Sequence, residues 1–199
     1  RRQDTPEPWQ VTSLVASHLA ENDGIRLLCS LGFENAYTFA MRRERAAAFG
    51  IRSLVDLARL APQLVVGSDY EFFSRPEWTK VSATYGLRFG EVRTFDSTFM
   101  YEAVARNEVD LITAFSSDGR LDSFDLVVLD DPLAAFPPYH AVILLSPRAA
   151  ADANIARSLT SLCESIPVAL MRGANALVDR DTDKRTPQQA AVWLRERLH

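Results

Sequence analysis

At Phe136-Pro137-Pro138-Tyr139 two consecutive prolines stiffen the backbone immediately before a tyrosine, so Tyr139 is held at small entropic cost. A rigidly presented aromatic is suited to a binding cage, in which each ring face contributes roughly 0.5–2 kcal/mol to holding a cation. Arg75 stands just before Pro76 at the start of a helix pattern, where the positive end of the helix dipole disfavours a cation. That mild misfit points to a task for the guanidinium, whose planar fork donates two parallel hydrogen bonds to a carboxylate. Catalysis has little to stand on. The histidines are His18, inside a helix pattern, His140, and His199 at the chain end, and the HExxH, GxSxG, phosphate-loop and GxGxxG patterns are absent. Asp118, Asp130 and Asp131 are better explained as turn formers and strand stops than as an acid–base pair. For any one aromatic, core packing is the competing explanation.

The run from Asn107 to Ser146 positions much of this. Val109 to Phe115 is a short apolar stretch rich in β-branched residues, and Ser116-Ser117-Asp118-Gly119 ends it with turn chemistry. Phe124 to Leu129 supplies a second strand, stopped by Asp130-Asp131-Pro132 because proline has no amide hydrogen for the ladder. Upstream, Arg1 to Pro8 is polar and reads as a frayed terminus. A helix spans residues 9–22 and stops at Asp23-Gly24, and strands follow at Ile25–Leu31 and Tyr37–Met41. Ser53-Leu54-Val55-Asp56 has the form of a capping box, opening a helix that ends before Pro62. Leu64 to Gly67 is a buried strand, followed by a helix at 75–85, a strand at 87–93, a helix at 97–107 and the strand at 109–115. Such alternation predicts an α/β fold with a mainly parallel sheet covered by helices on both faces. Ligands of these sheets lie beyond the strand carboxyl ends, where Arg75 and Phe115 fall. Ala141–Leu145 is a further strand, Pro147 starts a helical tail, and Thr186-Pro187 caps and opens the last helix.

The order NEVDLITAFSSDGR, DLVVLDD, FPPY resembles the substrate-binding proteins of osmoprotectant ABC importers, which capture glycine betaine, choline, carnitine or proline betaine. Leu31-Gly32-Phe33-Glu34-Asn35-Ala36-Tyr37 looks like that family's first crossover strand, and Glu71-Phe72-Phe73-Ser74-Arg75-Pro76 resembles its EFxxRP element. The match runs from about Trp9 to Leu198 in the family's order. It implies that Tyr37, Phe115 and Tyr139 line an aromatic cage for a quaternary ammonium ion, that Arg75 meets a ligand carboxylate, and that Asn35 lies near the ammonium end as a neutral dipole. The family usually has tyrosine where this chain has Phe115, so the ring face is kept and the hydroxyl is lost. The family's opening segment, which builds much of the first lobe and part of the site, is expected to be missing before residue 1.

Composition sets bounds that agree. A chain of 199 residues with 47% hydrophobic content can bury a sizeable core, as one large domain or two small lobes. A formal net charge of −4 without a strong basic cluster argues against nucleic acid as the main partner. The densest basic stretch, Arg42-Arg43-Glu44-Arg45, reads as a solvated strand end and loop. No apolar run approaches the ~20 residues that span a bilayer, and no signal peptide opens the chain. The resemblance therefore implies a periplasmic or otherwise extracytoplasmic protein whose export depends on a segment outside these residues, or a domain of a longer polypeptide carrying the permease. Cys29 and Cys163 form no metal motif and no metal or cofactor is expected. They read first as two buried thiols acting as small apolar residues, with an export-compatible disulfide as the alternative.

The expectation is thus a two-lobe, hinge-linked periplasmic-binding-protein-like fold of type II. Residues 35–136 form the second lobe, and 1–34 with 137–199 an incomplete first lobe. Ligand would bridge the lobes and stabilise a closed form that docks on an ABC permease, with Asp118 a candidate for closing the hinge. An incomplete lobe would expose apolar surface, so self-association or a context holding the absent half is expected. A sensor or interaction lobe without a transport role is the alternative, and a small hydrolase or transferase on the same fold a distant third.

Overall fold

The computed structural model describes residues 8–180 and 182–198; the stretch 1–7, most of the expected frayed terminus, lies outside them. Helix α1 (Pro8–Asp23) ends at Gly24, whose φ of +63° is the left-handed conformation that closes a helix at little cost for glycine. Strand β1 (Arg26–Glu34) runs three residues beyond its expected end, and β2 (Tyr37–Arg42) follows after two residues. The basic run then departs from expectation: Arg43 opens helix α2 (Arg43–Phe49) where a loop was expected. Ala46, Ala47 and Ala48 explain this, because alanine is the strongest helix former and outweighs the local charge.

Ser53 caps α3 (Leu54–Leu60) as expected, its hydroxyl accepting from the Asp56 amide while the Asp56 carboxylate accepts from the Ser53 amide. Next come β3 (Val65–Ser68), α4 (Pro76–Tyr85), β4 (Glu91–Thr94), α5 (Ser97–Ala105) and β5 (Leu111–Phe115). The short α6 (Arg120–Ser123) leads to β6 (Leu126–Val128), and β7 (His140–Leu145) precedes a helical tail. That tail comprises α7 (Pro147–Ala150), α8 (Ala153–Leu159), α9 (Val168–Asp179) and α10 (Pro187–Arg195), the last with a reciprocal cap between Thr186 and Gln189.

The strands form two sheets, a five-stranded one in the order β4-β3-β5-β2-β6 and a two-stranded ribbon of β1 with β7. The larger sheet is mixed: four of its strands share one direction, as expected of a mainly parallel sheet, and β2 alone runs against them. β4, β3 and β5 are mutually parallel, whereas β2 pairs antiparallel with both β5 and β6. The cause is the route: β2 enters straight from the ribbon, with no helical crossover to turn it, while β3, β4, β5 and β6 each follow a helix. Side chains of β2 alternate between the faces. Phe39 and Met41 join Leu54, Leu57, Val66, Phe72 and Val81 in one core, and Ala40 joins Met100, Tyr101, Val104, Ile112 and Leu121 in the other.

The chain crosses between ribbon and sheet twice, at residues 35–36 and again at 129–139, and the crossings lie side by side. The Asn35 amide donates to the Tyr139 carbonyl at 2.9 Å. Cys29 and Cys163 are joined by a disulfide with their Cα atoms 5.7 Å apart, so the buried-thiol reading is corrected. What brings them together is backbone pairing: the amides of Glu164 and Ile166 donate to the carbonyls of Ser30 and Leu31, both at 2.9 Å, which lays the 163–166 segment along β1. Helix α9 is seated on the larger sheet's side through Gly119, where a Cβ would collide with the Ala176 backbone. Among the described residues no helix is long and apolar enough to cross a membrane.

Candidate functional site

Tyr37 opens β2 and Phe115 closes β5, and the antiparallel register sets them directly opposite each other. Cross-strand partners share a face, which brings their rings to 4.4 Å between centroids at 36°. Tyr37 is buried and also contacts Phe72, at 5.2 Å. Phe72 belongs to a short 3-10 turn held by the Asp69 carboxylate, which accepts from the amides of Glu71 and Phe72 at 2.8 Å each. That turn delivers Arg75 in extended conformation just before Pro76, the first residue of α4. Its guanidinium carbon lies 5.4 Å from the centre of the Tyr37 ring.

Arg75 is not free. Its Nε and Nη2 donate to the two carboxylate oxygens of Glu77 at 3.3 and 3.1 Å, and its Nη1 is 3.6 Å from Glu71. Glu77 sits in the first turn of α4, where the helix dipole favours an anion, and is only 6% exposed. It also accepts a hydrogen bond from the hydroxyl of Tyr139, 62 residues away. That bond, with the two from Arg75, outweighs burial and holds the Glu77 carboxyl down at about 2. The same contact pushes the Tyr139 hydroxyl up, and the Arg75 guanidinium is raised chiefly by its bond to Glu77. Tyr37 is pushed up first by burial and then by the charge of Asp69.

The pKa of Glu77 has a testable sign. A carboxyl held below its ordinary 4.5 contributes stability that is complete above that value and lost as pH falls toward about 2. Melting temperatures of the chain and of Glu77→Gln between pH 7 and pH 2 should therefore converge on acidification, with the wild type falling more steeply below about pH 4.5. Parallel curves would mean that Glu77 carries no folded-state stabilisation.

Four of the five residues singled out in the sequence are thus linked: Tyr37 touches Phe115 and underlies Arg75, and Arg75 reaches Tyr139 through Glu77. Asn35 is exposed and joins them by its backbone; its side-chain oxygen accepts from the Ser117 hydroxyl at 2.6 Å. Tyr139 is 40% exposed and its amide donates to Glu34 at 3.3 Å. Asp118 does not span the two sheets. It accepts from the Tyr101 hydroxyl at 2.8 Å and from the Arg120 side chain at 2.7 and 3.1 Å, all within the larger sheet's layer. A groove of about 600 Å³ borders Tyr37 and is walled by Lys80, Asp131, Phe136, Pro138 and His140, without Arg75 or Tyr139. Glu77 was not foreseen. Its signal, an acid two residues after Arg75 in a first helical turn, is too common to stand out.

Comparison with known proteins bears on the family and the fold. A family profile described as the substrate binding domain of ABC-type glycine betaine transport systems matches residues 5–196. The glycine-betaine-binding protein of Pseudomonas aeruginosa is 34% identical over 192 aligned residues, covering 89% of this chain and 61% of that protein. The carnitine transport binding protein OpuCC of Listeria monocytogenes is 28% identical over 117 residues, covering 58% of this chain and 38% of that one. The chain thus spans less than two thirds of the length of either relative. The crystal structure of a glycine betaine/carnitine/choline ABC transporter superposes with a TM-score of 0.86 at 24% identity, over 98% of this chain and 72% of the other. That likeness establishes the fold as the two-lobed type II periplasmic-binding-protein fold. The matched family is one of binding domains, not of enzymes.

Proposed function

Because the chain belongs to the family formed by the substrate binding domain of ABC-type glycine betaine transport systems, we propose that it is the solute-binding component of an ABC importer for a quaternary-ammonium osmoprotectant. The ligand's methylated ammonium rests on the faces of Tyr37, Phe115 and Tyr139, Arg75 stands beside them as the nearest cation to any ligand carboxylate, and Asn35 adds a dipole at the rim. The observation that carries this reading is that one strand register and one buried carboxylate gather Tyr37, Phe115, Arg75 and Tyr139 into a single cluster.

Residues 35–136 act as one lobe, and 1–34 with 137–199 contribute to the other, a division favoured by the separate sheets and by the paired crossings at Asn35 and Tyr139. Ligand bridging the lobes stabilises the closed form, which docks on the permease. The Cys29–Cys163 disulfide supports work outside the cytoplasm, since such bonds persist in oxidising compartments.

Calorimetric titration with glycine betaine, choline and carnitine tests the proposal. Saturable heat is expected with at least one of them, weakened about tenfold in Tyr139→Ala, which is about 1.4 kcal/mol. Absence of heat with all of them, or binding indifferent to Tyr139, would overturn it.

A further inference from the structure

The bidentate edge of Arg75 is already committed within the chain. Its Nε and Nη2 are taken by Glu77, and its Nη1, 3.6 Å from Glu71, lies beyond hydrogen-bond distance but in the field of a second carboxylate. Nor is Glu77 easily displaced. It is buried, it receives the Tyr139 hydroxyl as a further donor, and a carboxyl held at about 2 stays ionised at neutral pH. A ligand carboxylate arriving at Arg75 would either strip a buried anion of its partner or crowd a second anion against it, and both are unfavourable. The surrounding charge has the same sense. Asp69, Glu71 and Glu77 all act on the Tyr37 hydroxyl against the single Arg75, which leaves negative charge in excess beside the aromatic faces.

We propose that Glu77 makes this site selective for quaternary ammonium ions that carry no carboxylate, choline being the simplest, over zwitterionic betaines. The proposal rests on the quaternary-ammonium reading of the site and adds to it a determinant of ligand class. The excess negative charge attracts the ammonium of both kinds of ligand, but only the betaine brings an anion that must compete with Glu77. The hydroxyl of choline, being neutral, meets no such competition.

Titrating the chain at pH 7 with choline and with glycine betaine provides the test. Choline is expected to bind at least tenfold more tightly. In Glu77→Gln, which removes one negative charge and leaves one acceptor oxygen for the guanidinium edge where there were two, that preference should shrink at least tenfold, with betaine affinity rising. Should circular dichroism show that Glu77→Gln does not fold, Glu77→Asp serves instead, because the shorter side chain cannot hold Arg75 and Tyr139 together and should move the ratio the same way. Equal affinities or a betaine preference in the wild type, or an unchanged ratio in a folded variant, would overturn the selectivity while leaving the functional reading in place. No binding of either ligand to any form would overturn both.

Discussion

Phe39→Ala is expected to lower the unfolding free energy by about 3–5 kcal/mol, the range for truncating a large aromatic in a core. Phe39 is fully buried in the middle of β2, the strand between β5 and β6. Its ring meets Phe72 at 5.6 Å, Phe89 at 5.6 Å, Phe136 at 6.0 Å and Trp78 at 6.5 Å. Those partners come from the 3-10 turn, the loop before β4, the second crossing and α4, segments tied down by different contacts. They cannot all relax into the space left by one ring, so the cavity term should be near its upper values. Phe72 also supports Tyr37, and ligand affinity should fall along with stability. Urea denaturation monitored by tryptophan fluorescence would check this; a loss below about 1 kcal/mol would mean that the aromatic cluster collapses freely.

Removing the disulfide is the second large perturbation. Cys29 and Cys163 are 134 residues apart in sequence, and a cross-link closing so long a loop restricts the unfolded chain far more than the folded one. The double variant Cys29→Ser/Cys163→Ser, or the reduced wild type, should lose about 2–5 kcal/mol relative to the oxidised protein. The ribbon of β1 and β7 should be affected first, because the bond anchors the 163–166 segment to it. Denaturation with and without reductant gives the number, and coincident curves would show that the unfolded chain is restrained by something other than the cross-link.

Much of the architecture was legible in the sequence because its signals are local. The Ser53 capping box, the Thr186-Pro187 helix start and the strand ahead of Ser116 are each settled within a few residues, and the structure places them as expected. The direction of β2 was not legible, since the buried run Tyr37 to Met41 has no polarity in its pattern and would serve equally in a parallel or an antiparallel ladder. The Cys29–Cys163 bond was hidden for a related reason: what aligns the two is the backbone pairing of residues 30 and 31 with 164 and 166. At the site, motif order brought out the aromatic positions and Arg75. It could not bring out Glu77, whose place in the cluster comes from burial and from a tyrosine 62 residues away.

The paired crossings also bear on how such a chain can be taken apart and rebuilt. The whole five-stranded sheet is threaded between β1 and β7, and the points where it leaves and rejoins the ribbon are within one hydrogen bond of each other, Asn35 to Tyr139. It is therefore an insertion with adjoining ends, the arrangement that lets a unit be excised, circularly permuted or transplanted without stretching its backbone. Segment 36–138 could be moved as a cassette into another ribbon with the same spacing, carrying Tyr37, Arg75, Glu77 and Phe115 with it and leaving Tyr139, and a helix in the place of α9 against Ser116, Ser117 and Gly119, to be supplied by the host.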